Sequence, residues 1–148
     1  MASKMFHFED ISVVEGNMRA NISLSRFSRQ FQEAQFWLDN QVMTDMVPLM
    51  PHVTGTFINN TRAESIAMAG TGRVCAAAPL YGRFLYMGKV MVDPETGSPW
   101  ARAGKRKVVT DHSLNYSNPS AVPLWFDEAK KQHGSEWVDG VKKRAGGG

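Results

Sequence analysis

Four histidines, a single cysteine and a glycine-rich turn are the first places to look for chemistry in this chain. His7, His52, His112 and His133 stand far apart, and none falls within a short interval of another or of Cys75. A zinc site draws its ligands from Cys and His pairs a few residues apart, so no metal centre is expected. Cys75 lies in the small apolar run Val74-Cys75-Ala76-Ala77-Ala78, which offers neither base nor cation to hold a thiolate, and it reads as an inert thiol. As the only cysteine it makes no internal disulfide, which suits a reducing compartment. Gly70-Thr71-Gly72 lacks the Gly-Lys-Ser/Thr ending of a phosphate-cradling loop and reads as a hairpin turn. No serine occupies a nucleophile elbow. Asp93, Glu95 and Asp111 sit in turn-rich sequence, where carboxylates cap and solvate loops. The chain is therefore expected to be non-enzymatic, with no catalytic residue, no metal and no cofactor.

Binding chemistry is better represented. Lys105-Arg106-Lys107, with Arg102 just ahead, and Lys142-Lys143-Arg144 have the charge to neutralise phosphates. The plainer reading of these runs is a solvated loop and a helix C-terminus. A net charge of +3 permits an acidic partner without requiring one. Aromatic residues are not interleaved with the basic runs, as a platform for stacking single-stranded bases needs. Trp37, Tyr81, Tyr86 and Trp100 lie off the clearest apolar stripes, and aromatics of this kind anchor subunit contacts. They are the candidate interface residues, and Lys105, Arg106 and Lys107 the candidate contacts to DNA or a partner.

The elements that must position these residues follow from hydrophobic spacing. Residues 1–24 have no clean period and read as an N-terminal arm with a short strand at Ile11-Ser12-Val13-Val14. Phe27, Phe31, Ala34, Leu38 and Val42 then recur at spacings of four, three, four and four, predicting an amphipathic helix over about 26–45. Arg29, Gln32, Glu33, Asp39 and Asn40 fall on its polar face, Ser25 or Ser28 is the expected N-cap, and Pro48 ends it. Ser65–Ala69 and Arg73–Ala76 read as two strands about the Gly70–Gly72 turn. A short helix is predicted over about 79–87 with Gly88 just past its end, then a long excursion with strands at Lys89–Val92 and Lys107–Thr110. Trp125, Ala129, His133, Trp137 and Val141 define a closing helix over about 122–144, with His133 packed on its stripe, Ser120 as its cap and Pro123 in its first turn. The expected fold is α+β, a small antiparallel sheet packed by two long helices and a short one. Its divisions are the arm at 1–24, one domain at 25–145 and a glycine tail at 146–148. No run approaches a membrane span and no signal core is present, so neither export nor a membrane anchor is expected.

Four phrases carry a resemblance: Phe36-Trp37-Leu38-Asp39-Asn40-Gln41-Val42, Pro51-His52-Val53-Thr54-Gly55-Thr56-Phe57, Pro79 to Gly88, and Leu124-Trp125-Phe126-Asp127-Glu128-Ala129-Lys130. In order and spacing over about residues 26–144 they resemble the minor capsid or neck proteins of tailed bacteriophages, grouped with head–tail connector and tail-completion proteins. The resemblance implies a virion protein made in the host cytoplasm, forming a homo-oligomeric ring of sixfold or twelvefold symmetry. It also implies neighbours on both sides, head-completion or adaptor proteins above and tail-terminator or tail-tube proteins below, with DNA passing through the lumen. The arm and residues 89–120 are the segments expected to reach neighbouring subunits. The alternative from a different class is a basic nucleic-acid-binding module built on Lys105–Lys107 and the C-terminal cations.

Overall fold

The structure, a computed structural model, describes residues 6–79 and 82–146. In chain order it contains strands β1 (Ile11–Glu15) and β2 (Met18–Ile22), helix α1 (Ser25–Met46) and a short 3-10 turn (Val47–Leu49). Helix α2 (Thr56–Met68), short helix α3 (Gly82–Met87), strands β3 (Lys89–Val92) and β4 (Val108–Ser113) and helix α4 (Trp125–Arg144) follow. β1 pairs with β2 and β3 with β4, each pair a two-stranded antiparallel sheet. The α+β class, the two long helices and the short third one agree with the sequence reading.

The core forms where the C-terminal half of α1 meets α4. Met46, Met50, Trp125 and Ala129 are completely buried there, joined by Val42, Met43, Leu49, Ile58 and Trp137. Two buried indoles satisfy their N–H groups inside this core. Trp125 Nε1 donates to the Ala76 carbonyl at 2.8 Å and Trp137 Nε1 to Asp45 Oδ2 at 2.6 Å. Phe57 and Tyr86 meet Trp125 edge-on, with ring centroids at 5.9 and 4.8 Å, the geometry that aromatic quadrupoles favour. On the first half of α1, Phe6 and Phe8 of the preceding chain pack on Phe31, and Gln32 Nε2 donates to the Gly70 carbonyl at 3.0 Å. Phe27, on the same predicted stripe, is half exposed.

Several expectations are corrected. Ser65–Ala69 is not a strand. Ser65 to Met68 is the last turn of α2, whose buried face is Ile58, Thr61 and Ser65. Hydroxyls stand where a helix normally shows alkyl groups, so the period is invisible to a hydrophobicity reading. Thr61 Oγ1 donates to the Phe57 carbonyl and accepts from Ala78 N–H, and Ser65 Oγ exchanges hydrogen bonds with the backbone of Cys75. Gly70 and Gly72, both at positive φ, turn the chain out of this helix.

Asp39 does not lie on a solvated face. It is buried, and its Oδ2 accepts from Gly70 N–H at 2.8 Å and Gly72 N–H at 3.0 Å, tying α1 to the turn after α2. Neither serine caps α1: Leu24 precedes the helix without a side-chain cap, and Ser28 Oγ instead accepts from Phe8 N–H at 2.8 Å. Ser120 does not cap α4: the residue before the helix is Leu124, with no side-chain cap, and Ser120 lies in the turn ahead of it with its N–H on Asn118 Oδ1. The helix starts at Trp125, and Leu124 enters it at φ +51° with its N–H on the Tyr86 carbonyl at 2.8 Å. His133 is half-buried and pairs with Glu136 at 3.2 Å.

Candidate assembly site

The arm is a β-hairpin. Ile11 faces Ile22, Val13 faces Ala20 and Glu15 faces Met18, and the two-residue turn Gly16-Asn17 has positive φ at glycine alone, as a type II′ turn requires. Strand alternation sorts the side chains cleanly. Ile11, Val13, Met18, Ala20 and Ile22 share one face with a single charge, Glu15, at the tip, while Ser12, Val14, Arg19 and Asn21 occupy the other. Ser12 Oγ donates to Asn21 Oδ1 at 2.8 Å across that polar face. Every residue of both strands is exposed, Met18 to 77% and Val14 to 61%. The base is fixed to the body, for Leu24 N–H donates to Asp10 Oδ1 at 2.7 Å.

On the body, an open groove of about 460 Å³ runs between α1 and α4. Leu38, Val42, Val74, Ala76, Phe126 and Trp137 form most of its apolar lining, with Tyr86 beside them. Of the two charged residues that line it, Asp39 is committed to the Gly70–Gly72 turn and Lys130 is exposed at the rim.

Between β3 and β4 the long excursion is an ordered loop organised by Asp93. This carboxylate is completely buried. Oδ1 accepts from Glu95 and Thr96 N–H, while Oδ2 accepts from Arg102 N–H at 3.1 Å and Arg102 Nε at 3.0 Å. Arg102 Nη1 reaches Glu95 Oε2 at 2.6 Å. The Arg102 side chain, then the surrounding backbone N–H groups, hold the Asp93 carboxyl far below its ordinary range against the opposing effect of burial. Glu95 and then Asp93 push the guanidinium further up. Arg102, grouped by sequence with the phosphate-seeking cations, is thus the internal clasp of the loop. What the loop displays is Trp100, 82% exposed, with Lys105 and Arg106 exposed and Lys107 half-buried farther along.

The remaining sequence candidates fall elsewhere. Trp37 lies across α4, with its ring above Gly140 and the Arg144 guanidinium 4.0 Å from its centroid, so one of the C-terminal cations is occupied by an aromatic face. Tyr86 is half-buried against Trp125, where burial pushes its hydroxyl up, and only its remaining surface faces the groove. Tyr81 lies outside the described residues. Cys75 is half-buried, and burial is the largest cause raising its thiol. Of the three described aromatics, Trp37 lies on α4, Tyr86 lines the groove and Trp100 shares a loop with the basic run. Sequence reasoning missed the hairpin's apolar face and the groove. The Gly16-Asn17 pair between two short strands was the available signal for the first; the groove joins segments too distant in sequence to leave one.

Among the described residues no group of three or more His, Cys, Asp or Glu side chains is placed to hold a metal ion, and no helix is long and apolar enough to cross a membrane. Comparison with known protein families, curated proteins and solved structures finds no match to this chain.

Proposed function

We propose that this chain is a structural subunit of the neck of a tailed bacteriophage, one of a ring of copies joining the portal side of the head to the tail. The observation that carries this reading is the amphipathic hairpin whose apolar face is exposed to solvent along both strands. Two strands alone are marginal in water, and an arm of this kind gains its stability from a partner. The phrases behind the resemblance support the reading from a second side, and three of the four contribute to the packing of the body. Asp39 ties α1 to the turn after α2, Gly55 at φ +82° opens α2, and Trp125 centres the core. In this reading the chain has no catalytic residue and takes no cofactor, and its partners are copies of itself and the ring proteins above and below.

Deleting the gene from a phage that carries it, and imaging the lysate by negative-stain electron microscopy, tests the proposal. Separate heads and tails are expected, and the DNA retained in the heads reports whether this layer also seals them. Intact infectious particles would sink the reading. The exposed Lys105 and Arg106 on the loop that carries Trp100 favour a second role, contact with DNA. Duplex affinity that falls steeply with salt and ignores sequence fits a lumen lining; discrimination between sequences would make recognition the main task.

A further inference from the structure

We propose that the apolar face of the β1–β2 hairpin of one copy seats in the α1–α4 groove of a second copy, with Glu15 meeting Lys130 at the rim. The inference rests on the assembly reading above and names the two surfaces through which copies meet.

The hairpin presents Ile11, Val13, Met18, Ala20 and Ile22 together, a convex apolar ridge about 17 Å long at the usual rise per residue. The groove is its counterpart, concave and apolar, lined by Leu38, Val42, Val74, Ala76, Phe126 and Trp137. Charge matches as well as apolar character. The ridge has one charge, the Glu15 carboxylate beside the turn, and the groove has one exposed charge, the Lys130 ammonium, since Asp39 is buried in its own hydrogen bonds. Opposite charges at the edge of an apolar contact fix register and orientation.

The hairpin of the same copy is poorly placed to fill this groove. Gln35 and Val42 lie ten and seventeen residues beyond the start of α1 at Ser25, about 15 and 25 Å along the helix. The hairpin base is clamped at the other end of α1 by the Asp10–Leu24 hydrogen bond, and the strands pack extensively only on each other. A ridge and a groove on different parts of one chain make a heterologous contact, in which each copy gives its hairpin to the next and offers its groove to the previous one. Such a contact closes into a ring when the rotation permits.

The test is sedimentation velocity on the full-length purified chain over a range of concentrations, for the wild type, Val13→Asp, Glu15→Lys, Lys130→Glu and the double exchange Glu15→Lys/Lys130→Glu. All three sites are exposed, so the monomer fold is preserved, and an unchanged melting temperature checks this. The wild type is expected to assemble. Val13→Asp should raise the concentration of half-assembly by about tenfold or more. Each charge reversal should raise it by about fivefold, and the double exchange should restore it, which a general loss of assembly would not do. A wild type that stays monomeric at its highest soluble concentration, or charge reversals whose effects simply add, would overturn the pairing. If the pairing fails while the deletion lysate still shows separate heads and tails, the neck reading stands without it. If copies join through these surfaces but the lysate holds intact particles, the contact stands and the neck reading falls.

Discussion

Helix α4 contains two interior glycines that should respond to alanine in opposite directions. Intrinsic propensity favours alanine over glycine inside a helix by about 1 kcal/mol at either position. At Gly134 an added Cβ meets only Lys130 Cγ at 3.8 Å, an ordinary contact, so Gly134→Ala should stabilise by about 0.5–1 kcal/mol. At Gly140 the same atom would stand 2.1 Å from Cη2 of Trp37 and 2.5 Å from its Cζ3, distances no side chain tolerates. The indole is rigid and sits between α4 and the Arg144 guanidinium, so it must swing off the helix and give up both contacts. Overpacking of this kind costs about 1–3 kcal/mol and the cation–π contact about 0.5–1 kcal/mol. After the propensity gain, Gly140→Ala should destabilise by about 0.5–3 kcal/mol, lowering Tm by roughly 1–12 °C in a chain of this size. Urea unfolding followed by circular dichroism gives both values. In a Trp37→Ala background the clash is gone, and Gly140→Ala should become stabilising by about 0.5–1 kcal/mol. If Gly140→Ala stabilises the wild-type chain as Gly134→Ala does, Trp37 does not lie on α4 as described and the argument fails.

Asp39→Ala leaves the buried N–H of Gly70 without its acceptor, while the N–H of exposed Gly72 can turn to water, and should cost about 1–3 kcal/mol in urea unfolding. A loss below about 0.5 kcal/mol would show that the turn does not depend on it. The folded Asp93 carboxyl is depressed from its ordinary 3.8, so the stability it lends is complete above that value and lost as pH falls below it toward the folded one. Thermal melts between about pH 5 and about pH 2 should therefore show an acid limb that Asp93→Asn flattens; equal limbs would refute the linkage. Trp100→Ala, removing a side chain that is 82% exposed, should leave stability within about 0.5 kcal/mol. Because burial raises the Cys75 thiol, iodoacetamide should label it slowly at neutral pH in the native protein and much faster in denaturant, as mass spectrometry would show.

What could be read from the sequence is what short-range spacing encodes. The stripe through Ala34 and Val42 and the one through Trp125, Ala129 and Trp137 placed the two long helices, because alkyl and indole groups mark their buried faces. The β3–β4 ribbon was legible for the same local reason, but Asp93 was grouped with Glu95 and Asp111 as carboxylates that cap or solvate loops, and its burial against Arg102 was not. Helix α2 was not, since its inward face at Thr61 and Ser65 is filled by hydroxyls that bond backbone rather than by apolar bulk. Asp39 was illegible because its partners lie 31 and 33 residues away, and a carboxylate amid Gln, Asn and Glu reads as surface until the turn is folded onto it. Arg102 was misread through proximity to Lys105–Lys107, although its acid partner stands nine residues earlier, across the loop. Trp37 and Trp100 part for a related reason. Spacing shows that Trp37 and Trp100 lie off the main stripes, yet only tertiary structure shows that one covers a glycine and the other is open to solvent.

The distribution of apolar side chains bears on how copies would assemble. The body keeps Met46, Met50 and Trp125 fully buried, while Ile11, Val13, Met18 and Ile22 on the hairpin remain 47–77% exposed. Full burial of such a side chain contributes about 1.5–3 kcal/mol, so covering the exposed halves of four of them makes available roughly 3–6 kcal/mol. Bringing two free molecules together costs about 4–15 kcal/mol, which one hairpin contact of this size does not clearly offset. Closing a ring changes the balance, because the last contact joins two ends already held together and escapes most of that cost. A single hairpin–groove contact should therefore leave open dimers sparse, and rings should appear over a narrow range of concentration with few intermediates. Sedimentation that instead showed a broad ladder of dimers, trimers and longer species would indicate contacts individually strong enough to persist, and so a larger interface than the hairpin and groove provide.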